Sequence, residues 1–194
     1  QILRDALEED GYLFLRNFHP AAQIRNARLE MLRILQQMEL THPDYPCEQG
    51  YAHPKNRNAF TPEAAKQSPL LHEIAFGTRM IQFWNQLFGE PTLHFNYLWF
   101  RTVGPGKGTT PHCDWVYMSR GTRRLYTVWT PYDHIDTQLG GLILLEGTHQ
   151  QGDRIRKYLN RDVDTYCLNG RHAEAIKNGK RASEYSGSLS QNPI

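Results

Sequence analysis

The chain predicts an α+β fold, mainly β, in which an N-terminal helical layer packs on a sheet. Two observations carry this reading. Apolar residues recur at three- and four-residue spacing through the first 90 residues, and after Pro91 the period drops to two. Helices first and many strands afterwards is the order of a helical layer against a sandwich, not of alternating βαβ units.

Each element has its own grounds. Residues 1–9 read as the end of an amphipathic helix, stopped by Asp10-Gly11, with a short strand over 12–16 and a turn at Pro20. From 21 to 40, Ile24, Ala27, Met31, Ile34, Leu35 and Met38 form one apolar stripe, which specifies a helix with a single buried face. Residues 41–67 carry Pro43, Pro46, Pro54 and Pro62 and read as a long loop, a length that is uncommon unless the loop covers or lines something. Ser68-Pro69 is a cap followed by a first helical position, opening a short helix that Gly77 ends. Thr78 opens another, with Met80, Ile81, Trp84, Leu87 and Phe88 inward and Gly89 then Pro91 as the stop. Residues 93–103 alternate and are rich in aromatics, which suits a strand. The glycines of 104–108 read as a plain connector, because no Gly-Lys-Ser/Thr follows to make a phosphate loop. Strands over 111–118, 124–130 and 141–146 complete the readable sheet. Beyond Gln150 the chain turns polar, with a short helix over 153–163 and little pattern afterwards. The reading is one domain over 1–194: helical support to 90, strands over 91–150, and a polar insert or tail over 151–194.

Composition narrows the function. The 194 residues are enough for one sizeable core. Basic and acidic residues nearly balance at 22 and 20, so the net charge of +2 gives no case for nucleic acid as partner. No apolar stretch approaches the roughly 20 residues that span a bilayer. Cys47, Cys113 and Cys167 are widely spaced, which suits reduced thiols in a cytoplasmic protein.

The densest chemical signal is His112-Cys113-Asp114. On a strand, residues two apart share a face, so His112 and Asp114 can offer an imidazole and a carboxylate to one metal ion. Cys113 then points to the opposite face and reads as a packing residue. A second histidine from elsewhere would complete the facial triad that holds non-haem Fe(II) with positions left open. The triplet alone is common by chance; its surroundings give it weight.

Those surroundings resemble the phytanoyl-CoA dioxygenase family of Fe(II)- and 2-oxoglutarate-dependent oxygenases. Asp10-Gly11-Tyr12-Leu13-Phe14-Leu15 is similar to the family's first strand, and Leu125-Tyr126-Thr127-Val128-Trp129-Thr130 follows the His-x-Asp triplet as a strand should. Leu139-Gly140-Gly141 with its apolar run and Glu146-Gly147-Thr148-His149 resembles the family's later block. The resemblance covers roughly 8–150 and implies a double-stranded β-helix, a cupin-like jelly roll. It implies Fe(II) and 2-oxoglutarate as cofactor and cosubstrate, and dioxygen and a small organic molecule as substrates. Metal ligands would be His112 and Asp114, with Tyr97, Arg101, Thr109 and Trp129 lining the cosubstrate site. Related halogenases have a small residue where Asp114 stands, so its carboxylate favours hydroxylation.

The match breaks late in the chain. The family's second histidine and the arginine that pairs with 2-oxoglutarate follow a Gly-Asp turn. Gly152-Asp153 is followed by the basic Arg154-Ile155-Arg156-Lys157, not by a buried strand. His172 and Arg181 imitate the spacing, but 173–177 reads as helix. The expectation is that the C-terminal strands, with the third ligand, lie beyond Ile194. His149 reads as a turn or rim residue. Two other readings fit the same residues: a cupin-like Zn or Mn enzyme using His112, Asp114 and His149 without 2-oxoglutarate, and a non-catalytic relative.

Overall fold

The computed structural model describes residues 1–55, 59–60, 65–95, 98–103, 106, 108–118, 122–160 and 189–190, without the side chains of 59–60, 101–102 and 189–190. The chain divides into two compact units, each built from separated stretches: one of Gln1–Phe14, Pro111–Thr130 and Gly141–Ser190, the other of Leu15–Thr110, Pro131–Gly140 and Gln191–Ile194.

The larger unit is the helical support. Helix α2, Ala21–Gln37, presents Ala27 and Leu32 as fully buried residues, and it packs on α3, Pro69–Phe76. Ser68 caps α3 as its sequence position predicts, its hydroxyl accepting from the Leu71 amide at 3.3 Å. Ala27, Ala65, Leu71 and Ile74 form the buried centre, with Ile24, Met31, Ile34, Leu98, Phe100 and Tyr132 around it. Burial there pushes the Tyr132 phenol up to about 12. Helix α4, Thr78–Phe88, buries Met80, Ile81 and Leu87, and Gly89 ends it at φ 74 with its amide on the Asn85 carbonyl. Only glycine adopts that left-handed cap without strain.

The 41–55 segment has more order than a proline-rich loop suggests. Thr41 and Ala52 pair as an antiparallel bridge, the His42 amide donates to Tyr51, and a 3-10 turn spans Cys47–Gln49. Arg28 ties it down, donating to the Glu48 carbonyl at 2.8 Å and pairing with Asp133 at 2.6 Å.

The other unit holds α1 (Ile2–Asp10), α5 (Trp115–Met118) and α6 (Gly152–Leu159), α5 resting on α6 with Val116 fully buried. The described strands are short: β1 (Ala59–Phe60), β2 (His94–Phe95) and β3 (Arg101–Thr102) lie in the larger unit, β1 pairing antiparallel with β3, and β4 (Leu189–Ser190) lies in the other.

The expected strand half is therefore corrected in several places. Among the described residues, 12–16, 124–130 and 141–146 have no strand pairing, strand within 93–103 is confined to 94–95 and 101–102, and 115–118 is a helical turn where a strand was expected. Alternation fixes which residues share a face, but a strand exists only where a neighbour satisfies its amides and carbonyls. Leu142, Ile143, Leu144 and Leu145 accordingly stay 48–92% exposed. Cys167, His172 and Arg181 lie outside the described residues, as does most of the stretch 153–163 beyond α6.

Candidate metal centre

Pro111 leads the chain into a bend, and His112, Cys113 and Asp114 run in irregular backbone up to α5. The mechanism that aligns the candidate ligands is thus a turn, not a strand. The two donors lie close: His112 Nε2 and Asp114 Oδ1 are 3.1 Å apart, each side chain 25% exposed. The His112 ring meets the Tyr117 ring edge-on, centroids 5.6 Å apart, so α5 steadies the imidazole one turn on.

Two further groups hold the triplet. The Thr127 hydroxyl donates to Asp114 Oδ2 at 2.5 Å, and the Cys113 amide donates to the Tyr158 hydroxyl of α6 at 2.9 Å. Neither was singled out in the sequence. Thr127 had a usable signal, since it alternates with Trp129 and shares its face in an extended chain; Tyr158, in a polar helix, had none. The Cys113 thiol is free and half-buried, and the Cys47 thiol is likewise free.

The residues present fit a divalent cation. Two ligand atoms about 2.1 Å from an octahedral metal, at adjacent positions, lie roughly 3.0 Å apart, which the His112–Asp114 pair already satisfies. An imidazole with one carboxylate is also a donor set of non-haem iron. No group of three or more His, Cys, Asp or Glu that could hold a metal occurs among the described residues.

His149 has another task. Its Nε2–H donates to the Glu8 carbonyl at 3.2 Å, and Gln150 Nε2 donates to the Glu9 carbonyl at 3.1 Å. Both cap carbonyls that the last turn of α1 leaves without helical partners. Beside them Tyr12 donates to Glu146 Oε1 at 3.4 Å, and the Glu146 charge holds the Tyr12 phenol above its ordinary range. His149 is a structural turn residue, so the three-ligand set of His112, Asp114 and His149 is not assembled.

The expected cosubstrate residues fall in both units. Trp129 belongs to the unit of the ligand pair and is 49% exposed. Thr109 is exposed, and Arg101 lies in β3, paired with Phe60; both belong to the other unit. Tyr97 and the Arg101 side chain lie outside the described residues. No described helix is long and apolar enough to cross a membrane.

No curated protein and no solved structure matches the chain. The family model described as phytanoyl-CoA dioxygenase (PhyH) matches residues 7–182. Members of that family have a cupin-like jelly-roll fold and are Fe(II)- and 2-oxoglutarate-dependent oxygenases. With nearly the whole chain matched, and with the His-x-Asp pair converging inside the match, this protein belongs to the phytanoyl-CoA dioxygenase family.

Proposed function

We propose that this protein is an Fe(II)- and 2-oxoglutarate-dependent dioxygenase that hydroxylates a small organic molecule, releasing succinate and carbon dioxide. The observation that carries the reading is the His112 Nε2–Asp114 Oδ1 approach of 3.1 Å within a chain of this family. His112 and Asp114 hold the metal, and the third ligand comes from outside the described residues. Bound Fe(II) supplies the redox chemistry that couples 2-oxoglutarate decarboxylation to oxygen insertion at a C–H bond. The chain's own part is to bind and orient. Asp114 offsets one of the two cation charges and His112 adds a neutral donor. By the family resemblance, Tyr97, Arg101, Thr109 and Trp129 are the residues proposed to serve the cosubstrate. Free Cys47 and Cys113 thiols fit a cytoplasmic location.

The test is direct. Supplied with Fe(II), 2-oxoglutarate, dioxygen and a panel of small-molecule substrates, the protein releases succinate. His112→Ala and Asp114→Ala reduce that release at least about 100-fold, as loss of a metal ligand should. Equal turnover by the variants, or none by the parent, sinks the assignment.

A further inference from the structure

Asp114 carries two oxygens, and only one faces His112. Oδ1 lies 3.1 Å from His112 Nε2, while Oδ2 accepts the Thr127 hydroxyl at 2.5 Å. A hydroxyl that donates to a carboxylate makes a charge-assisted hydrogen bond, about twice as strong as one between neutral groups. An exposed threonine could give its proton to water, so direct pairing with Asp114 is a specific arrangement. Threonine also loses little freedom in holding it, because branching at Cβ already restricts χ1.

A carboxylate with both oxygens available can bind bidentate, at the cost of a second coordination position. An oxygenase centre needs those positions for cosubstrate and dioxygen. We propose that Thr127 is a positioning residue: by holding Asp114 Oδ2 it keeps the carboxylate monodentate, with Oδ1 presented beside His112 Nε2. The proposal rests on the reading of His112 and Asp114 as metal ligands. Thr127 does not touch the metal; it acts through Asp114.

Thr127→Val keeps the shape and removes the hydroxyl; Thr127→Ser keeps the hydroxyl. The probe is Co(II), an oxygen-stable stand-in for Fe(II), followed by calorimetry and by its visible absorption, whose intensity reports coordination number. Thr127→Val should weaken Co(II) binding roughly 10- to 100-fold, the range for partners that orient a ligand. It should also change the visible spectrum, while Thr127→Ser restores both towards the parent. Circular dichroism should be the same for all three, since Thr127 is exposed. Parent-like affinity and spectrum in Thr127→Val overturn the positioning role, as does failure of serine to rescue. His112→Ala and Asp114→Ala separate the two readings. If they bind Co(II) like the parent, or the parent binds none, the metal assignment falls and the Thr127 role falls with it. If they lose binding while Thr127→Val keeps it, only the Thr127 role falls.

Discussion

Gly11 shows how much one residue can decide. Its φ of 80 is the left-handed region, and an added Cβ would come within 2.4 Å of His149 Nδ1. The same histidine caps Glu8, so Gly11, His149 and the α1 terminus are one arrangement. Gly11→Ala should therefore suffer both the left-handed penalty of about 1–2 kcal/mol and a steric clash. The midpoint of thermal unfolding should fall by roughly 2–8 °C, using the usual scaling for a chain of this size. An unchanged midpoint would show that the turn can move aside freely. Ser68 is a milder case. Ser68→Ala deprives the Leu71 amide of its acceptor and should cost about 1 kcal/mol, read from the midpoint of thermal unfolding.

At the scale of elements, the approach of residues 15–20 to α4 carries a titration. His19 is buried at Nε2 with no hydrogen-bond partner among the described residues, packs edge-on against Phe18, and has the Arg79 and Glu73 charges near it. Burial first and Arg79 second hold its pKa below 6.5, Glu73 opposing. A histidine kept neutral in the fold binds its proton more readily when unfolded, so stability rises with pH across this window. The parent should lose stability as pH falls from about 6.5 towards the lowered folded pKa, and level off below it. His19→Gln should flatten that part of a melting-temperature profile; an identical profile would refute the assignment. Asp133 acts in the opposite pH region. The His134 amide, then Arg28, hold its carboxyl below the usual range, so its contribution is present at neutral pH and disappears only in strong acid.

For the whole molecule, the metal reading makes a thermodynamic demand. A cation that binds the folded chain alone stabilises it by mass action, about 2.7 kcal/mol at a hundred times Kd. Mn(II) or Co(II) should raise the unfolding midpoint of the parent in a concentration-dependent way and leave His112→Ala and Asp114→Ala unmoved. A rise shared by all three would mean that the ion binds elsewhere.

What could be read from the chain alone was what depends on neighbours in sequence. Helical stripes placed α2 and α4, and a cap with a glycine stop placed α3, because a helix closes its hydrogen bonds within itself. Ser68, Gly11 and Gly89 marked ends for the same local reason. The His-x-Asp spacing brought two donors together even though its backbone is a turn, since two residues so close in sequence converge in more than one conformation. Tertiary structure decided the rest. Whether 12–16, 124–130 or 141–146 pair depends on a partner distant in sequence, and their alternation could not name one. Leu32, absent from the stripe read in the sequence, is buried by what packs on α2. Only the fold could turn His149 into a cap for α1, or bring Thr127 to Asp114 Oδ2, because each contact joins residues that no local pattern connects.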